Sequence, residues 1–295
     1  MNTTKRHISF PSINQFREVI SSVNRQFNFV GLDENGEAIY DHNKIKPIIT
    51  FTSTVKLHGT NFSICFNNID GLWVQSRSNI IDIKNDNAGA AFFVETNKEV
   101  FLDFIKQVET QTGIDLNNNT ISIFGGFVGK SIQKGVGIAN LEKSVFIFGV
   151  KISPFELDKE TSAYWVDHSY LRSPEHRIYN ISDYEKHSID IDFNFPQLSQ
   201  NKLGEITLQI EKCCPVAKEF GFDNTVGEGA VWTADFNGSR LMFKVKGELH
   251  SVSKVKTLAS VDVEKLNSIK EFVDYAVTEN RFKQGLENIF PNGDQ

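Results

Sequence analysis

The sequence predicts an α+β fold built on antiparallel sheets, and three observations predict it. Strand-like segments recur along the 295 residues without regular helices between them, which disfavours a doubly wound parallel sheet. Two such segments, 229–234 and 240–246, flank Asn237-Gly238, the favoured dipeptide of a two-residue hairpin turn. Helical spacing is confined to a few stretches separated by those strands.

Taken in chain order, residues 10–25 read as a short helix. Residues 48–66 read as two strands with a turn at His58-Gly59, and 72–76 alternate as a strand does. Between 88 and 109 the apolar residues Phe92, Phe93, Val100, Phe101, Phe104, Ile105 and Val108 recur at helical spacing. Strands are expected at 120–124, 145–152 and 164–166. Residues 203–220 look helical, with a break or kink expected at Pro215. Beyond Ser251 the pattern turns helical again, with Val263, Leu266, Ile269, Phe272, Val273 and Ala276 on one face.

Composition excludes several classes. With 40% hydrophobic and 23% charged residues, the chain has the make-up of a soluble globular protein. Its longest apolar runs are a few residues, against the roughly 20 needed to cross a bilayer, so no membrane partner is expected. The start, MNTTKRHISF, lacks the apolar stretch of a signal peptide. Cys65, Cys213 and Cys214 are too few and too unevenly spaced for a disulfide framework or zinc ribbon, and a reduced cytosolic setting is expected. Cys213-Cys214, before Pro215, is read as packing.

The net charge of −6 argues at first against a nucleic-acid partner. The charge is uneven, however. Residues 1–152 sum to +1, 153–233 to −7, 234–256 to +3 and 257–295 to −3. Segment 120–152 carries Lys130, Lys134, Lys143 and Lys151 against Glu142 alone. Electrostatic attraction acts within about 8–10 Å, so local basic segments can meet phosphates on an acidic chain, with strong salt sensitivity.

Three stretches stand out chemically. In Lys56-Leu57-His58-Gly59-Thr60-Asn61, a lysine ends an apolar strand before a glycine turn. Such a lysine is either a surface group or a nucleophile kept partly neutral by nearby cations. In Phe243-Lys244-Val245-Lys246, the period of two puts both lysines on one face, as in an exposed edge strand or an anion site. The glycines of Phe124-Gly125-Gly126-Phe127 and Phe148-Gly149 suit either a close ligand approach or ordinary turns.

In this order, the features resemble the covalent nucleotidyltransferase superfamily of ATP-dependent ligases and capping enzymes. Within it they are most similar to the RNA ligase 2-type family of phages, related to the kinetoplastid RNA-editing ligases. Residues 56–61 match that family's first motif, K-x-H-G-T-N, where DNA ligases and capping enzymes usually have Asp in place of His58. Arg77 matches the arginine that follows about twenty residues on, and Phe148 the aromatic that stacks on adenine. Glu228 matches the glutamate of the fourth motif, and Lys244 with Lys246 the lysine pair of the fifth. The resemblance spans about residues 35–250.

The resemblance implies an adenylyltransferase (nucleotidyltransferase, ATP-grasp-like ligase) domain over 1–250, of antiparallel sheets flanked by helices. A short helical segment, 251–295, is expected in place of a larger C-terminal domain, which is abbreviated or missing from this chain. It implies sealing of 5′-phosphate and 3′-hydroxyl RNA ends, in nicked duplexes or broken strands, with ATP and Mg²⁺. Lys56 is then the nucleophile, its charged form disfavoured by Lys244, Lys246 and the metal, and Glu228 the metal ligand. His58 assists AMP transfer, Arg77 holds the ribose or the RNA end, and Asn61 contacts the nucleotide or the end. A monomer in the cytoplasm of a phage-infected host is the implied setting. Where the family has Phe-Gly-Glu this chain has Gly126, and where an Asp usually follows the stacking aromatic it has Gly149. The lost glutamate normally contacts the ribose, so an alternative is a nucleotide- or RNA-end-binding protein without full turnover. The remaining six of the seven histidines match no motif.

Overall fold

Apolar strands build two large sheets and one small one, and the chain crosses between the two large sheets at the first motif. The computed structural model describes residues 5–86, 88–155, 163–250, 261–276, 278 and 281. The first helix is α1 (Phe16–Asn28), with Phe16, Val19 and Val23 buried. It begins later than the expected residue 10, because Gln15 N donates to Glu18 Oε2 at 2.8 Å and caps it there. A small two-stranded sheet follows, β1 (Phe29–Leu32) with β2 (Ala38–Tyr40).

Next come β3 (Ile48–Lys56), β4 (Thr60–Asn67), β5 (Gly71–Ser76) and β6 (Ile80–Ile81). The predicted helical stretch is two helices, α2 (Ala90–Thr96) and α3 (Lys98–Thr112), separated at Asn97. Phe92, counted in the apolar face, is 63% exposed. Strands β7 (Asn119–Val128), β8 (Ser144–Pro154), β9 (Tyr164–Val166), β10 (Ile178–Asn180) and β11 (Ser188–Asp192) lead to α4 (Gln200–Lys212) and α5 (Pro215–Glu219). Pro215 breaks the helical stretch as expected and opens α5, where its missing N–H costs no hydrogen bond. Last are β12 (Gly229–Phe236), β13 (Ser239–Lys246) and α6 (Val263–Ala276). Asn237 and Gly238 turn the β12–β13 hairpin with φ of 49° and 74°, the conformation a type I′ turn requires.

The larger sheet has seven strands in the order β10-β8-β7-β4-β5-β6, with β9 also on β8. The smaller has four, ordered β11-β3-β12-β13. Every pairing is antiparallel except β10 with β8, which runs parallel. Although β3 and β4 are nearly consecutive, they lie in different sheets, and residues 57–59 make the crossing. A Cβ on Gly59 would sit 2.5 Å from Val128 Cγ1 and 2.6 Å from the Phe127 carbonyl oxygen, so only glycine passes here.

Helices α2 and α3 cover one face of the seven-stranded sheet through Phe93, Phe101, Phe104 and Val108. The opposite face carries Cys65, Trp73 and Phe124, capped by Ile8 and Phe10 of the N-terminal segment. Burial pushes the Cys65 thiol up to about 12, against hydrogen bonds from Ser122 and Ser63, so it packs and does not react. The four-stranded sheet buries Phe51, Val55, Trp232, Phe243 and Val245 together with α1 and α4. The glycine pair of β7 is not a turn: Gly125 and Gly126 lie within the strand, at a register shift against β8. No helix among the described residues is long and apolar enough to cross a membrane. Of the expected helical segment 251–295, residues 251–260, 277, 279–280 and 282–295 fall outside the described residues.

Candidate active site

Three neighbouring strands bring the charged residues together. Gly229 in β12 pairs with Lys56 of β3 on one side and with Lys246 of β13 on the other. Directly opposed residues share a face, so both lysines project to the same side, two strand spacings (about 10 Å) apart at the backbone. Gly229 has φ of 140°, and a Cβ there would lie 2.2 Å from the Val245 carbonyl oxygen. Glycine therefore leaves the space between the lysines clear.

Glu228 fills that space. Its side chain is 2% exposed; Lys56 Nζ donates to Oε2 at 2.7 Å, and Lys246 Nζ lies 2.8 Å from Oε1. His58 Nδ1 is 3.3 Å from the same Oε2. One carboxylate thus gathers two ammonium groups and an imidazole. Burial alone would push the Glu228 carboxyl up, but Lys56 and Lys246 outweigh it, and the group is held below the usual carboxylate range.

Lys56 shows the opposite balance. Burial of its ammonium is the largest influence and lowers its pKa. The attraction and hydrogen bond of Glu228 oppose that, while Lys246 and Lys244 reinforce it. The net direction is below the ordinary lysine range; burial is the leading cause, and Lys246 and Lys244 add to it in the direction that the sequence reading expects. Lys244, opposite Val231, makes no contact with Glu228 and acts on Lys56 through charge alone.

The remaining predicted residues gather on the seven-stranded sheet. Asn61 and Arg77 line a small cleft with Phe10, Phe62, Ser63 and Gln75. Phe148 meets Phe10 edge-on, with ring centroids 5.0 Å apart, and Phe10 also touches Phe124 and Trp165. Gly149 is explained by this packing: a Cβ there would stand 3.1 Å from Trp165 and 3.6 Å from Phe10. Gly126 is different. It lies opposite Asn61, and a Cβ would meet nothing closer than Val128 at 4.0 Å, so the space for a side chain is open.

The site also includes residues that no sequence signal marked. Glu211, at the end of α4, accepts from Leu249 N at 2.8 Å. A Cβ on Gly247 would lie 2.0 Å from Glu211 Oε1, so this carboxylate closes against the backbone just after Lys246. His250, in the following 3₁₀ turn, meets His58 edge-on at 5.3 Å between ring centroids. Neither could be found from spacing, because α4 and the end of β13 meet only in the fold.

As for a metal, no three His, Cys, Asp or Glu side chains among the described residues stand together as a cage. Glu228 offers one carboxylate with about four lone-pair sites, partly used by Lys56 and Lys246. That fits a divalent cation held jointly with substrate phosphates and water, not one held by protein alone.

Antiparallel sheets with few helices, and a buried lysine–carboxylate hub at the crossing between them, match the nucleotidyltransferase fold of RNA ligases. The chain belongs to the RNA ligase family, whose model matches residues 49–246. Among solved structures it is similar to two mutants of the Naegleria gruberi RNA ligase with ATP and Mn. One has 14% identity and a TM-score of 0.51, the other 14% and 0.50, and each match covers 85% of this chain and 58% of that one. The same protein with PPi is matched at 15% identity and a TM-score of 0.48, over 83% of this chain. This chain therefore spans a little over half the length of those relatives. No curated protein sequence matches it.

Proposed function

We propose that the chain is an ATP-dependent RNA ligase that joins a 5′-phosphate to a 3′-hydroxyl end through a covalent lysyl-AMP. The observation that carries this reading is the convergence of Lys56, Lys246 and His58 on the buried Glu228.

In the first step the neutral Lys56 amine attacks the α-phosphorus of ATP. A P–N bond forms, the P–O bond to pyrophosphate breaks, and the amine gives up a proton. Burial of Lys56 keeps the neutral form accessible, and Lys244 and Lys246 stand where charge develops on the phosphoryl oxygens. Phosphates entering the site compete with Glu228 for those ammonium groups. In the second step a 5′-phosphate oxygen of RNA attacks the AMP phosphorus, and Lys56 leaves as the amine, taking up a proton. His58, beside Glu228, is assigned the role of assisting at this phosphate. In the third step the 3′-hydroxyl oxygen attacks the 5′-phosphorus, AMP departs and the hydroxyl proton is released.

Phe148 is assigned the adenine face, and Asn61 with Arg77 the ribose or the RNA end, the last through the planar donor fork of arginine. Glu228 would hold a divalent cation, Mg²⁺ in this reading, which when bound would supply further charge neutralisation. The chain is proposed to work as a monomer.

The test is sealing of a nicked RNA duplex, and of broken single strands, with ATP and a divalent cation. Wild type should give joined product from one of them, while omission of ATP or Lys56→Ala gives none. If wild type joins neither substrate, or Lys56→Ala joins as well as wild type, the reading is overturned.

A further inference from the structure

The His58 ring has a second neighbour that the family motifs leave out. His250 stands edge-on to it, 5.3 Å between centroids and 61° between planes. This is favourable aromatic geometry, with the ring edge of one against the face of the other. The turn that carries His250 is itself fixed. Gly247 N donates to the Glu228 carbonyl oxygen at 3.1 Å, His250 N to Gly247 O at 3.3 Å, and Leu249 N to the buried Glu211 at 2.8 Å. The backbone of Glu228 and the carboxylate of Glu211 thus hold one ring, and that ring holds another. Nδ1 of His250 is buried and has no hydrogen-bond partner among the described residues. Among the described residues no hydrogen bond joins the two imidazoles, and the contact between them is ring packing.

His58 needs such a support. It follows Lys56 in the crossing between the sheets, outside both strands, and among the described residues its one polar side-chain contact is Nδ1 to Glu228 at 3.3 Å. A single contact of that length does not fix the ring plane. With Nδ1 turned to Glu228, Nε2 is the nitrogen available to a phosphate oxygen, and its direction depends on that plane.

We infer that His250 is a positioning residue for His58, holding its imidazole against Glu228 so that Nε2 meets the phosphate during AMP transfer from Lys56 to RNA. The inference rests on the proposed ligase reading, and specifically on the role of His58 in the second step. It assigns His250 no contact with substrate and no bond-making. Positioning effects of this kind reach large factors, because misplacement by about 1 Å can cost about a hundredfold.

The experiment uses the full chain, pre-adenylated on Lys56 and mixed with a nicked duplex bearing a 5′-phosphate, with RNA-adenylate followed over time. Adenylation from ATP is measured separately. His250→Ala should slow AMP transfer about tenfold and leave adenylation within about twofold, a split that general loosening of the fold does not produce. His250→Phe, which keeps the ring and removes both nitrogens, should restore transfer to within about threefold. In a His58→Ala background the His250→Ala change should have no further effect on transfer, as expected for residues that act as a unit. If His250→Phe is as slow as His250→Ala, or both variants match wild type while His58→Ala is slow, the positioning role is wrong. If His58→Ala itself transfers at the wild-type rate, the failure lies in the ligase reading of His58.

Discussion

The two walls of the site are built differently. On and beside the four-stranded sheet, Lys56, Lys246 and His58 meet at the single carboxylate of Glu228 within 2.7–3.3 Å. On the seven-stranded sheet the chain departs from the resembled motifs at Gly126 and Gly149, and Phe10, Phe124, Phe148 and Trp165 form an aromatic cluster. The four-stranded sheet, proposed to handle the phosphates, is fixed by strand register and charge balance, and loss of Glu228 would leave two lysines facing each other. The seven-stranded sheet, proposed to hold the nucleoside, relies on apolar shape, with open space at Gly126.

The contrast is broken most severely at Glu228. Replacing it with Ala leaves Lys56 and Lys246 facing each other. Losing one partner of a fully buried pair costs about 3–5 kcal/mol. These lysine side chains keep 20% and 28% exposure, so a loss nearer 1–3 kcal/mol is expected in a denaturant titration. Adenylation should fall by about a hundredfold or more. The pH dependence of stability follows with a definite sign. Because Glu228 titrates lower in the folded protein, its contribution is present above the unfolded glutamate pKa of about 4.3 and is lost as pH falls through the folded value. In Glu228→Gln that acid-side loss should disappear.

At the nucleoside wall, Phe148→Ala should weaken nucleotide binding about tenfold, since stacking on a base is worth about 1–3 kcal/mol. Stability should change less than for a fully buried phenylalanine, Phe148 being only partly buried. Titration calorimetry with ATP measures the first, and thermal melting the second.

A smaller effect concerns Lys56 itself. Only the neutral amine attacks, so adenylation should rise with pH and level off below the ordinary lysine value of about 10.4, because burial lowers its pKa. Glu228→Gln removes the attraction that opposes this, and the rise should move to lower pH. A rise that stays in place would show that Glu228 does not govern the amine.

The smallest effect is expected at Gly126. A side chain has room there, so Gly126→Glu should fold within about 0.5 kcal/mol of wild type. It should tighten nucleotide binding a few-fold, the worth of one added hydrogen bond. Unchanged binding would mean that the nucleoside wall does without a carboxylate.

The same contrast explains what was legible in the sequence. Strand β3 alternates, β4, β7 and β8 are compact apolar runs, the β12–β13 hairpin is marked by Asn237-Gly238, and the lysine pair follows from the period of two. Strands β10 and β11 are three and five residues long and exist through partners far away in the chain, so periodicity could not expose them. Phe10 looked like the start of a helix, although it belongs to the aromatic cluster, because a capping interaction at Gln15 delays α1. His250 carried no signal, since its nearness to His58 depends on the turn after β13 and on Glu211 from α4. Charge convergence was readable where strand register creates it, and not where loops and distant helices do.

The central claim is that the amine beside Glu228 is the nucleophile. Incubating the protein with ATP and a divalent cation, then taking its intact mass and mapping the peptides, tests this most directly. The account predicts a mass increase of one AMP, located on Lys56 and absent from Lys56→Ala. An unmodified wild-type chain, or AMP that persists in Lys56→Ala, would contradict it.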